Sequence, residues 1–229
     1  MSSTIEREQQ RVDQSPANGV WAEIDRLWLE TLGRVVSRAA HEVKGALNGV
    51  SVNLEVVRAR AERPDAPAAA VQRFAESASQ QLETLIRMND ALLALARPVR
   101  EPVAVASIVA RLVALLAPST AVEGGSLELE DATTGAASTS ARGNVVRLAV
   151  AAALLAAVER KGHARCRIED RDGIVVRVTL AAGGAIAVPT AITAPLEAIG
   201  IRTNADAEGC ALVFPRAVGS TQESGTHNA

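Results

Sequence analysis

The stretch Val36-Ser-Arg-Ala-Ala40-His-Glu-Val43-Lys-Gly-Ala-Leu47-Asn-Gly-Val50-Ser-Val-Asn-Leu54-Glu-Val-Val57 sets apolar residues at 36, 40, 43, 47, 50, 54 and 57. The steps alternate between four and three, the spacing of a heptad seam on an α-helix. No proline interrupts Val20 to Arg63, so one helix of roughly 65 Å is expected there. Such a helix with a single apolar stripe does not stand alone in water and lays that stripe against partners.

Outward from this stretch, Ala61-Glu-Arg-Pro-Asp-Ala-Pro67 breaks the helix, because each proline removes a donor and disfavours helix in the residue before it. A second seam follows at Val71, Phe74, Ala78, Gln81, Leu85, Met88, Leu92 and Leu95, and Pro98 stops it. Two long helices with a short connection make an antiparallel hairpin. Two copies bury both seams most easily as a four-helix bundle, so residues 19–98 are expected to form a homodimer. A monomer that covers the hairpin with its own C-terminal half is the alternative.

Residues 1–18 are polar and aperiodic, and 218–229 are rich in Ser, Gly and Thr; both are expected to be disordered tails. Residues 99–217 change character. Val103–Leu116 has the pattern of an amphipathic helix ended by Pro118, and Ser126–Glu130 alternates as a strand does. Ala136–Ala141 suggests a further strand. Asn144 is a candidate N-cap for a helix over Val145–Lys161, closed by Gly162. Ala164–Glu169 and Ile174–Leu180 flank Asp172-Gly173 as a β-hairpin, Pro189–Ile199 suggests a helix, and Ala211–Phe214 a last strand. The expected fold class is therefore α+β and multidomain: a helical hairpin followed by a small α/β sandwich.

Composition narrows the function. Lys plus Arg is 24 and Asp plus Glu 26, a net charge of −2, so no basic field is present to hold nucleic acid. Aromatics are 2% with no Tyr, which leaves little to stack on bases. Two cysteines are too few for a disulfide framework or a zinc site. The polar Met1–Gln14 segment has no secretory core, and the purely apolar run Leu148–Val158 is too short for a bilayer; the expectation is a cytoplasmic protein with no membrane partner.

Of the three histidines, His41 alone is expected to stand outward from a rigid helix, one step past Ala40 of the seam. Arg34, Ser37, Arg38, Lys44, Gly45 and Asn48 lie three, four or seven residues away and share its face. Neutral imidazole is a nucleophile, cationic neighbours suit an anionic electrophile, and Gly45 removes a side chain beside the ring.

The string Ala40-His-Glu-Val-Lys-Gly-Ala-Leu-Asn-Gly-Val50 resembles the H-box of sensor histidine kinases: His-Glu, an aliphatic residue, a basic residue, two residues, then Leu-Asn. The resemblance covers residues 20–97 well and the rest in outline. It implies that His41 accepts a phosphoryl group, that Glu42 is the acidic neighbour assisting proton removal, and that the hairpin is the family's dimeric bundle. It also implies that the C-terminal domain derives from the family's ATPase domain. There the chain departs. Ala152 and Ala156 stand where the family has two metal- and phosphate-handling asparagines, and Ala181 where it has the adenine-binding Asp. Of the glycine pair only Gly183 remains, and the segment from Ile186 to the last strand is too short for an ATP lid. Gly45 replaces the Asn or Thr with which bifunctional members position a hydrolytic water.

The reading is a histidine phosphotransferase with no cofactor of its own and no ATP-dependent autophosphorylation. It relays phosphoryl groups to or from the Asp of response-regulator receiver domains, which supply Mg²⁺, including the receiver of an upstream hybrid histidine kinase. Arg38 and Lys44 would steer and screen, and Asn48 with the exposed face of Ser77–Thr84 would touch the receiver. The alternatives are a pseudokinase scaffold that docks receivers or kinases without carrying phosphate, and a divergent histidine kinase. Trp21 and Trp28 are expected to cap the open end of the bundle or to mark a helix contact; Cys166 and Cys210 are expected as small buried hydrophobes, or as a redox pair if their strands adjoin.

Overall fold

A computed structural model describes residues 16–63, 67–135 and 137–217. The tail expected over residues 218–229 lies outside them, as do residues 1–15 of the N-terminal one; residues 16–18 already belong to the first helix. That helix, α1 (Pro16–Ala61), runs antiparallel to α2 (Ala68–Ala96). Its 46 residues make it roughly 69 Å long. After a linker come β1 (Val103–Ala104), α3 (Val105–Val122), β2 (Ser126–Asp131), β3 (Ser138–Thr139), α4 (Gly143–Glu159), β4 (His163–Asp170) and β5 (Ile174–Leu180). The chain closes with α5 (Thr190–Ala198), β6 (Arg202–Asp206) and β7 (Gly209–Phe214).

The architecture is mixed α+β. A five-stranded sheet of order β2-β4-β5-β7-β6 has β2 parallel to β4 and the other neighbours antiparallel, with β2 and β6 outermost. Strands β1 and β3 form a separate short pair. One sheet face packs on α3, α4 and α5, and α1 packs on those helices in turn. The other face carries Glu128, Glu130, Arg165, Arg167 and Arg177, cross-linked by ion pairs such as Arg165–Glu128.

Helix α4 is the centre of the molecule. Residues 145–155 are all buried, so no polar face exists and the helix must be enclosed on every side. Its alanines let neighbouring backbones approach closely. Residue 144 does not cap it: the N-cap is Arg142, and the Asn144 amide donates instead to Asp25 of α1 at 2.8 Å. Helix α3 also differs from expectation, continuing through Pro118 to Val122. Proline forfeits one bond to the preceding turn, but the Ser119 and Thr120 hydroxyls donate back to the carbonyls of Leu116 and Ala117 at 2.8 and 2.7 Å and hold the last turn together. Although α3 is long and apolar enough to cross a bilayer, half of it is buried, and it lies in this core.

The hairpin's faces are distributed differently from the two seams. On α1 the buried residues are Ile24, Leu27, Trp28, Val35 and Ala39, which join the core of the sheet domain. The seam residues Val36, Leu47 and Leu54 are 39%, 51% and 54% exposed. On α2 the seam is largely buried, at Ala78, Leu85, Met88 and Leu95, while Leu82, Ile86 and Leu93 are each about half exposed. Trp28 is buried, and Trp21 and Trp28 lie against α4 through the Arg142 and Arg147 guanidinium groups, 4.1 and 5.8 Å from their rings. They mark a helix contact within the chain. Cys166 and Cys210 are free and buried; both pair with Val178, on opposite sides, so β5 separates them and no redox pair exists.

Candidate functional site

His41 lies in the middle of α1, fully helical on both sides, and is exposed. It lines a groove of about 720 Å³ between α1 and the ends of α3 and α4. Arg34, Ser37, Arg38 and Glu42 line it from α1, with Ser119 and Glu123 from α3 and its C-cap, and Glu159 from α4. The last three residues are 81 to 125 positions away from their partners on α1, and no local pattern announces them.

The arginines on this face are committed within the chain. Arg34 pairs with Glu159. Arg38 donates from Nε to the Ser119 hydroxyl at 2.8 Å and lies 3.5 Å from the Glu123 carboxylate, which Lys161 also approaches at 3.7 Å. The two arginines of the basic surface expected around His41 are thus neutralised by the sheet domain, which docks on the same side of α1, while Lys44 has no ion pair among the described residues. Glu30 and Glu42 add further negative charge to the lining.

A second groove of about 670 Å³ meets the first at Glu42 and Val122. Gly45, Ala46, Gln81, Met88 and Pro118 line it, and most of its surface is apolar. A side chain at Gly45 would meet nothing within 4 Å, so the space beside His41 is open. Gly49, one turn on, is different: a β-carbon there would come within 2.6 Å of the Gln81 amide, which packs against its backbone. Lys44 and Asn48 are exposed and line neither groove. On the expected contact face of α2, Ser77 and Gln81 accept from the Asn53 amide at 3.1 and 3.4 Å, and Thr84 accepts from Arg87.

No family model and no curated protein matches this chain. The site therefore stands on its own residues.

At the positions where the resemblance expects nucleotide contacts, Ala152 is 3% exposed and Ala156 packs on the same core. Ala181 is exposed at the end of β5, its N–H donating to the His163 carbonyl at 2.8 Å. Gly183 and Gly184 both take positive φ, and the Gly184 N–H donates to Ala207 at 2.8 Å, so the pair ties a turn to the β6–β7 hairpin. Between Ile186 and β6 there is only α5, nine residues long. Among the described residues no group of three His, Cys, Asp or Glu side chains converges on a possible metal position.

Proposed function

We propose that this chain is a cytoplasmic histidine phosphotransferase, a degenerate relative of sensor histidine kinases that works as a homodimer. The observation that carries the reading is His41: an exposed imidazole fixed on a long helix, with open space at Gly45 and a docking groove alongside. The methyl groups at 152 and 156, packed in the core, support the loss of nucleotide chemistry, since they offer nothing to a metal or a triphosphate.

In the forward step an imidazole nitrogen of His41 attacks the phosphorus of a receiver's aspartyl phosphate. The N–P bond forms, the P–O bond to the aspartate breaks, and the carboxylate leaves; the receiver's own Mg²⁺ neutralises the charge. The imidazole proton passes toward Glu42 or solvent, and the reverse sequence returns the group to a second receiver. Because Arg34 and Arg38 are paired, the receiver is held chiefly through the apolar groove beside Gly45, with Lys44 the exposed cation nearest His41 in sequence. With no side chain to place a water at Gly45, the phosphohistidine is retained for transfer.

The same pairing of both arginines favours a second reading, a scaffold that docks receivers without accepting phosphate. The test incubates the protein with Mg-ATP alone, then with phosphorylated receivers, and follows acid-labile label. Label from a receiver that is lost in His41→Gln supports the transferase. Receiver binding without label leaves the scaffold, and label from ATP alone refutes the loss of kinase activity.

A further inference from the structure

The joint between the hairpin and the sheet domain holds a cavity of about 270 Å³ lined by Arg97, Arg100, Arg111 and Arg147, with Ser107 and no carboxylate. None of the four arginines has an ion pair among the described residues. Arg147 is 5% exposed, and among the described residues no carboxylate forms an ion pair with it, although Asp25 and Glu101 line a neighbouring pocket that it also touches. Its guanidinium donates to the Arg97 carbonyl at 2.6 Å and to the Asn144 side chain at 3.3 Å, and its Nε has no partner. A carbonyl at the end of α2 offers only partial negative charge. Removal from water, and then the like charge of Arg111, both push this guanidinium below its ordinary range.

Burying a cation beside a second cation, with its Nε–H unpartnered, is costly unless an anion completes the group. Guanidinium forks match the oxygens of phosphate in paired hydrogen bonds. The volume is below the roughly 300–1,000 Å³ of cavities that take drug-sized ligands, so the guest is compact. We infer that this cavity binds a small phosphate-type oxyanion, held by Arg147 and Arg111 inside and by Arg97 and Arg100 at the mouth. Since these residues come from the end of α2, the linker, α3 and α4, the bound anion fastens the hairpin to the sheet domain. The inference does not rest on phosphotransfer at His41.

The test is calorimetric titration of inorganic phosphate and of pyrophosphate into the full chain, at ionic strength held constant with chloride. Saturable binding of one anion per chain is expected, weakened at least tenfold by Arg111→Gln and severalfold by Arg100→Gln. Arg165→Gln, on the open face of the sheet, leaves it within twofold. The Arg111 and Arg100 variants carry the test because Arg147→Gln also removes the bond that closes α2. An ADP arm separates the sources: displacement of pyrophosphate by ADP assigns the site to a nucleotide's diphosphate, and failure to displace it assigns the free anion. Absence of binding by either inorganic anion overturns the inference, as does binding indifferent to Arg111 and Arg100 or equally weakened at Arg165.

Discussion

The uncovered stripe on the hairpin makes a quantitative prediction for self-association. Leu47 on α1 and Ile86 on α2 are 51% and 52% exposed in the single chain. Fully burying such a side chain contributes about 1.5–3 kcal/mol, so covering the remaining half in a dimer contributes roughly 1 kcal/mol each. The double substitution Leu47→Asn, Ile86→Asn removes four such contributions per dimer, roughly 4 kcal/mol, which raises the dimer dissociation constant about 10³-fold. Because both side chains already face outward, the folded chain should keep its helical circular dichroism. Analytical ultracentrifugation over a wide concentration range reads the shift directly. A wild-type chain that stays monomeric throughout, or a variant whose dissociation constant moves less than threefold, refutes the assignment of this stripe to a second copy.

Four further outcomes follow from the same geometry. Gly45→Ala, entering open space in the interior of α1, should raise stability in chemical denaturation by about 0.5–1 kcal/mol through helix propensity alone. Ala152→Asn, placing an amide where the resemblance expects one, should instead cost about 1–3 kcal/mol by burying an unpaired polar group, and nucleotide titration should show no binding beyond that of the unsubstituted chain. Burial pushes the Cys166 thiol up to about 12 and the Cys210 thiol to about 11, so alkylation at mildly alkaline pH should be negligible until denaturant opens the sheet. The Glu208 N–H, followed by Arg177 and the Gly209 N–H, holds the Asp206 carboxyl below the usual range. Its contribution is therefore present above the ordinary carboxylate pKa and lost as pH falls through the depressed one; Asp206→Asn should flatten the acid limb of thermal stability.

The helices and the central hairpin of the sheet were legible where spacing carries the physics. Heptad steps bounded by prolines define α1 and α2, and strict alternation defines β4 and β5, although their loop has three residues and Asp170 pairs with Ile174. What spacing cannot say is which side of a long helix meets which partner. The seam through Val36 and Leu47 was evident; that Ile24, Trp28 and Val35 turn toward the sheet domain depends on contacts made a hundred residues away. The same distance hid Ser119, Glu123 and Glu159, which complete the groove at His41. Strand β6, Arg-Thr-Asn-Ala-Asp, was missed because an edge strand exposed on most of its length carries no apolar alternation.

That strand also governs how the molecule meets its own kind. Both margins of the sheet are hostile to strand addition: β6 offers a polar rim, and β2 ends in Glu-Leu-Glu-Asp, whose acidic neighbours would repel an identical segment laid alongside. Open-ended stacking into fibres is thereby discouraged at both ends. Under the proposed dimer, contact between molecules falls to the stem, where a two-fold pairing closes on itself and stops.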